Sequence, residues 1–143
     1  QAPASPARAR RDLEWLISRA PIIDDARLGH VAWVGSNALS SMRVDLRTVL
    51  AELPDAALMG ALKERRSGRY VEHLLHALLQ HVHRFQLLAH DLQVRDEKRT
   101  IGAFDFILHD RRRKKGLHVE LAFKQYLLLL LYTSDAADER SSV

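Results

Sequence analysis

The feature that most restricts the fold of this chain is a change of hydrophobic period close to residue 84. Over Arg69–His83 the apolar residues return every three or four positions, which predicts an amphipathic helix. Beyond that helix, apolar and polar residues tend to alternate, which is typical of half-buried strands. The alternating stretches are Arg84–Val94, Thr100–His109 and Leu117–Lys124, separated by a polar turn and a basic loop. A helix followed by three strands with short connections predicts a mixed α/β fold that contains an antiparallel three-strand meander.

The first half of the chain is predicted to be helical. Apolar periodicity supports helices over Arg11–Arg19, Met42–Leu53 and Ala56–Arg65, and the first two end at Pro21 and Pro54. With 143 residues, the chain is long enough for one domain with a hydrophobic core. The patterns together predict a flexible lead-in over residues 1–10, a helical segment over 11–66, an α-β-β-β core over 67–131 and a non-native tail over 132–143.

Composition excludes several classes of protein. The sequence has no cysteine, so disulfides and thiolate metal sites are excluded, and a reducing, cytoplasmic location is expected. No apolar segment follows the N-terminal arginines, as a signal peptide requires, and the apolar run Leu127–Leu131 is shorter than the ~20 residues of a membrane helix. We therefore expect no membrane partner. The isolated glycines form no phosphate-binding loop, so no small-molecule cofactor is expected either. The formal net charge of +4 favours phosphate-bearing partners such as nucleic acid.

Two acidic residues interrupt the apolar strands, Asp105 in the second and Glu120 in the third. A carboxylate within a hydrophobic strand is costly unless it is paired, hydrogen-bonded or bound to a cation. If His109 faces Gly116 across the hairpin, alternation places Asp105 directly opposite Glu120, with Cβ atoms roughly 4.5–5.5 Å apart. Two carboxylates at that distance repel each other unless a divalent cation or the nearby Lys124 compensates them. The two acids are therefore a predicted seat for Mg²⁺, which carboxylates, water and a substrate phosphate can coordinate together.

A longer pattern surrounds these acids. The predicted helix carries Glu72. The second of the three predicted strands carries Asp105, and the third carries Glu120. With Lys124 behind the second acid, this order resembles the core of the PD-(D/E)XK nuclease superfamily. A closer resemblance is to the uncharacterised bacterial family DUF1853, a domain of unknown function that is itself similar to that superfamily. This resemblance extends over Asp12–Tyr126 and is carried by RDLEWL, GRYVEHLLHALL, LLAHDLQV, GAFDFILHD and HVELAFKQY.

The resemblance implies a magnesium-dependent nuclease that hydrolyses phosphodiester bonds in DNA. By position, Asp105 and Glu120 would bind Mg²⁺. Lys124 would stabilise developing charge or orient the attacking water. Glu72 would accept a hydrogen bond from a metal-bound water or complete an outer shell of ligands.

The chain departs from the superfamily pattern at the lysine and at the C-terminus. The superfamily places its second acid and its lysine two residues apart, but this chain has Ala122 at that position. Lys124 lies four residues after Glu120, roughly 13 Å along a strand, and must reach back. The superfamily core also continues with another helix and strand, so we expect a truncated domain. The final residues, YTSDAADERSSV, resemble sequencing-adapter read-through on a metagenomic fragment.

Other interpretations of the same residues stay open. The acids and the lysine could form a structural ion network, since such networks also perturb buried carboxylates. A nuclease fold without activity could serve as a module that binds nucleic acid or protein. The residues available for that contact are Arg111, Arg112, Arg113, Lys114 and Lys115 in the hairpin loop, although such a run is more often a solvated turn. The eight histidines show no HExxH spacing, so a zinc site is not predicted.

Overall fold

The computed structural model describes residues 5–19, 34–123 and 127–133. Within these ranges four α-helices come first and four β-strands follow. They are α1 (Pro6–Ile17), α2 (Ser36–Glu52), α3 (Asp55–Leu62), α4 (Ser67–Leu79), β1 (Phe85–Asp96), β2 (Arg99–Asp110), β3 (Lys115–Phe123) and β4 (Leu127–Thr133). The mixed α/β class is therefore confirmed, and a fourth strand extends the expected meander. No helix among the described residues combines the length and the apolar character that crossing a bilayer demands.

Helix α1 begins inside the segment predicted to be a flexible lead-in, and that prediction is corrected for residues 6–10. Ser5 caps the helix by accepting a hydrogen bond from the Arg8 backbone N–H at 3.2 Å, and Pro6 suits the first helical position. Ala9 is fully buried, and the Arg10 guanidinium donates to backbone carbonyls at the end of α2. The polar composition of this segment hides a helix that is stabilised by tertiary contacts.

Among the other helix boundaries, the start of α2 and the end of α4 differ most from the prediction. Helix α2 starts at Ser36 rather than at Met42, because Leu39 packs into the core although most of its neighbours are polar. Helix α4 ends at Leu79 rather than at His83, and β1 follows after a short connection. The apolar period continues past the actual end of α4, so the period alone overestimated its length.

The four strands form one antiparallel sheet in the order β1-β2-β3-β4. His109 of β2 pairs with Gly116 of β3, so the predicted register of this hairpin is confirmed. Strand β4 pairs with β3 along its whole length and continues through Tyr132 and Thr133. The boundary expected between core and tail therefore falls inside a strand, whereas the foreign origin of the tail stays a prediction.

The helices cover one face of the sheet. Phe106 and Leu108 of β2, with Leu117 and Val119 of β3, are buried in a single core cluster with residues from all four helices. Successive strand residues point to opposite faces, so the residues between these four lie on the other face, which we call the outer face. Its half-buried members on β2 and β3 are Asp105, Ile107, His109, His118 and Glu120.

A buried ion pair ties the sheet to the helices. Asp110, at the end of β2, is fully buried, and Arg84, just before β1, is 8% exposed. The Arg84 Nε and Nη2 atoms donate to the two Asp110 carboxylate oxygens at 2.9 and 3.0 Å, a bidentate geometry. Arg84 Nη1 reaches α2, where it donates to Ser41 Oγ at 2.9 Å and to Asp45 Oδ2 at 3.1 Å. The predicted second strand ends at His109, one residue before Asp110, so the sequence pattern did not reveal this pair.

Candidate functional site

Asp105 and Glu120, which we call the acid pair, lie beside each other on the outer face. The β2–β3 ladder pairs Phe106 with Val119, the residues that follow Asp105 and precede Glu120, and the charge of Asp105 acts on the Glu120 carboxyl. The Asp105 carboxylate also accepts a hydrogen bond from the Leu121 backbone N–H, with 2.6 Å between Oδ2 and N. This bond holds the Asp105 side chain against β3, next to Glu120.

The surroundings of Glu120 favour its protonated form. Burial raises the pKa of this carboxyl from 4.5 to about 7, and the negative charge of Asp105 adds to the increase. Glu120 Oε1 lies 2.6 Å from His118 Nε2, close enough to share one proton. The imidazole donates when the carboxylate is ionised, and the carboxyl donates when it is protonated. The repulsion between the two acids is the kind of electrostatic cost that a bound divalent cation removes.

Glu72 lies elsewhere. Its Oε1 atom is 3.4 Å from His90 Nε2, and the His90 ring stacks on Phe106 at 4.8 Å between centroids and on His76 at 4.2 Å. Phe106 and Asp105 are consecutive strand residues and point to opposite faces of the sheet. The structure therefore places Glu72 on the helix-covered side, and it does not bring Glu72 together with the acid pair.

The histidines beside Glu72 form a small stack that the sequence analysis did not anticipate. Burial lowers the pKa of His76, and the charges of His90 and His73 lower it further. The lowered pKa favours a neutral His76 imidazole, which stacks on His90, and the His90 ring stacks on Phe106. Spacing on α4 placed Glu72 and His76 on one helical face, but only the sheet register brings His90 to them.

The acid pair could supply two oxygen ligands to a metal ion, fewer than a complete shell requires. Within residues 5–19, 34–123 and 127–133, no group of three or more His, Cys, Asp or Glu side chains is arranged to hold a metal ion. Asp105 and Glu120 each keep one carboxylate oxygen outside the hydrogen bonds with Leu121 and His118. Two carboxylate oxygens suit a hydrated Mg²⁺, which retains several waters and takes phosphate oxygens from a substrate. The fourth expected site residue, Lys124, lies outside the described residues.

The basic hairpin loop is attached to the helices rather than free in solvent. Arg111 donates through Nη1 to the His83 carbonyl, and its backbone N–H donates to the Arg84 carbonyl. Arg112 Nη1 donates to Ser41 Oγ at 2.9 Å, and Arg112 Nη2 lies 3.1 Å from an Asp45 carboxylate oxygen. These bonds give Arg111 and Arg112 a structural role. The composition of the basic run alone did not reveal that role.

Some residues of the site region could have been found from the pattern. Alternation through Phe106 and Leu108 predicts that Asp110 faces the core, where an acid needs a partner. Alternation equally places His118 on the face of Glu120, two residues away. No comparable signal points to Arg84 as the partner of Asp110, because 26 positions separate them.

Comparison with known proteins gives a match to a family model. The family model described as Domain of unknown function (DUF1853) matches residues 11–140. No curated protein matches the chain, and no solved structure matches it. The family match includes residues 132–140, which the sequence analysis excluded as a foreign tail. Because the match spans most of the sequence, this chain belongs to the DUF1853 family of domains of unknown function.

Proposed function

We propose that this chain is a nuclease-like domain that hydrolyses phosphodiester bonds in DNA with Mg²⁺ held by Asp105 and Glu120. The observation that carries the proposal is the juxtaposition of these two acids on the outer face, with the pKa of Glu120 raised to about 7. Such perturbed carboxylates are more frequent at catalytic and metal sites than elsewhere in proteins.

Each acid has a neighbour that fixes its orientation. The Leu121 backbone N–H holds Asp105, and His118 holds Glu120, so one oxygen of each carboxylate stays available for an ion. When bound, Mg²⁺ would polarise the phosphate and lower the pKa of a coordinated water. Lys124 is assigned to the developing negative charge because of its place in the sequence pattern, four residues after Glu120. The proposal assigns Glu72 no contact with the ion.

The test is cleavage of plasmid and linear DNA by the full chain with Mg²⁺ or Mn²⁺. Asp105→Asn and Glu120→Gln remove one charged ligand each while keeping the side-chain shape. Loss of an outer-shell partner commonly costs 10–100-fold, so removing a direct ligand should cost at least about 100-fold in rate. His109→Gln is the matched control, because His109 shares the outer face and is assigned no role in the acid pair.

The expected result is metal-dependent cleavage by the wild type and His109→Gln, and its loss in both acid variants. Absence of cleavage by the wild type would contradict the proposal, and so would cleavage that survives Asp105→Asn. DNA binding that persists without cleavage, and without dependence on Mg²⁺, would instead indicate a catalytically inactive binding module.

A further inference from the structure

A cleft of about 510 Å³ opens on the helix-covered side of the sheet, at the end where β2 turns into β3. Its walls come from α2, from the connection between α4 and β1, and from the hairpin loop. The polar residues that line it are Asp45, Thr48, His83, Arg84, Arg111 and Arg112. Ligand pockets commonly enclose about 300–1,000 Å³, so this cleft has the size for a ligand as large as a nucleotide.

The charges around the cleft do not cancel. Arg84 is neutralised by Asp110 at 2.9 Å, and Asp45 lies 3.1 Å from both Arg84 and Arg112. Arg111 donates to a neutral carbonyl, and no ion pair involves Arg111 in the part of the chain that the structure describes. One guanidinium charge at the cleft therefore lacks a counter-charge.

The position of Arg111 is also fixed in advance. Its backbone N–H donates to the Arg84 carbonyl at 2.8 Å, and its guanidinium is anchored to the His83 carbonyl. Arg112 is held next to it by Ser41. Binding of an anion would therefore cost little side-chain entropy, because these guanidinium groups are already held in place. The planar guanidinium fork matches the geometry of phosphate oxygens, which it can contact in pairs.

We infer that this cleft is a binding site for a phosphate group, with Arg111 as its principal cation and Arg112 as its neighbour. The phosphate belongs either to a free phosphorylated compound of nucleotide size or to a nucleic-acid backbone, since both present the same oxygens. The site is separate from the acid pair: Asp105 and Asp110 are five residues apart on β2, about 17 Å along the strand, and their side chains point to opposite faces. It needs no metal.

The test uses the full wild-type chain in EDTA, so its outcome is independent of the proposed magnesium site. Inorganic pyrophosphate and a short single-stranded oligonucleotide serve as probes, and binding is followed by calorimetry and by amide chemical shifts. Arg111→Gln should weaken pyrophosphate binding by at least about tenfold, as expected for loss of a charged hydrogen-bond donor. Lys114→Gln removes the same charge from the same loop at an exposed residue outside the cleft, and should change affinity much less.

Pyrophosphate should change the amide chemical shifts of the wild type mainly at Thr48, Arg84, Arg111 and Arg112. This measurement does not depend on the folding of any variant. Arg111→Lys keeps the charge and should recover part of the lost affinity. Displacement of the oligonucleotide by pyrophosphate would identify nucleic acid as a source of the phosphate, and independent binding of pyrophosphate alone would identify a free compound. Absence of binding by the wild type, or equal losses in Arg111→Gln and Lys114→Gln, would overturn the inference.

Discussion

Glu120 and Asp110 are both acids on neighbouring strands, and their surroundings shift their ionisation in opposite directions. Burial raises the pKa of Glu120, and Asp105 raises it further. Burial alone would also raise the pKa of Asp110, but hydrogen bonds from Arg84 and from the loop N–H groups, together with the Arg84 charge, lower it overall. The difference lies in the partners: a guanidinium compensates Asp110, whereas a second carboxylate opposes Glu120.

Replacing Glu120 by glutamine should make the folded chain relatively more stable at pH 8 than at pH 4. The folded pKa of about 7 lies above the ordinary value of 4.5, so ionising Glu120 costs the folded state free energy. That cost is absent below pH 4.5, grows as the pH rises toward 7, and is fully present above it. Because the side chain is 27% exposed, solvent screening limits the expected gain at pH 8 to about 1 kcal/mol.

Urea unfolding of the wild type and Glu120→Gln at the two pH values measures this difference. Glu52→Gln, at an exposed position of α2, is the control for removing a surface carboxylate. A stability difference between wild type and Glu120→Gln that stays constant with pH would show that Glu120 ionises normally in the folded chain.

Helix α1 shows how tertiary contacts can stabilise a helix in a polar segment of the chain. Its sequence begins PARAR, and neither composition nor apolar period marks this as structured. The helix forms because Ser5 caps it, Ala9 enters the core, and Arg10 bonds to α2 and to Asp55 at 2.7 Å. Propensity is a weak signal compared with such tertiary contacts.

Arg10→Ala should destabilise the chain by about 2 kcal/mol, because it removes the hydrogen bonds from a charged guanidinium to three acceptors. Arg11→Ala changes the neighbouring residue of the same helix, which is exposed, and should stay within about 0.5 kcal/mol of wild type. Thermal and urea unfolding measure both variants. Equal effects from the two substitutions would indicate that α1 contributes little to the stability of the folded chain.

At the scale of the whole molecule, the sheet separates two chemically different surfaces. The helix-covered face buries Phe106 and its neighbours, and Glu72 with its histidine stack lies on that side. The outer face carries the acid pair. Because of this division, only Asp105 and Glu120 of the three predicted site acids lie on the same face, and Glu72 is separated from them.

The buried Arg84–Asp110 pair joins the start of β1 to the end of β2, and Arg84 extends from it to Ser41 and Asp45 on α2. Asp110→Ala should cost about 3–5 kcal/mol, because it leaves the Arg84 guanidinium buried without its main counter-charge. Asp45→Ala removes the partially exposed partner and should cost about 1 kcal/mol. Urea unfolding followed by circular dichroism and tryptophan fluorescence checks the two values. A loss no larger for Asp110→Ala than for Asp45→Ala would show that the buried pair contributes no more to stability than the partially exposed one.

The hairpin that holds the acid pair was predictable because its information is local. Alternation of apolar and polar residues sets the face of each side chain, and the facing of His109 and Gly116 then determines every other pair. The partner of Arg84 and the anchoring of Arg112 were not predictable, since each joins residues that are far apart in sequence. Helix ends were also misplaced, because caps and core contacts override the apolar period.

The sequence alone determined the order of helices before strands, the faces of β2 and β3, and the neighbouring positions of Asp105 and Glu120. These features could be read from the sequence because backbone periodicity acts over a few residues. Only the tertiary structure decided that Glu72 lies across the sheet from these acids, and that the basic loop closes a cleft against α2. Which side of a sheet a helix covers is set by packing among distant apolar residues, and no local pattern of the chain encodes it.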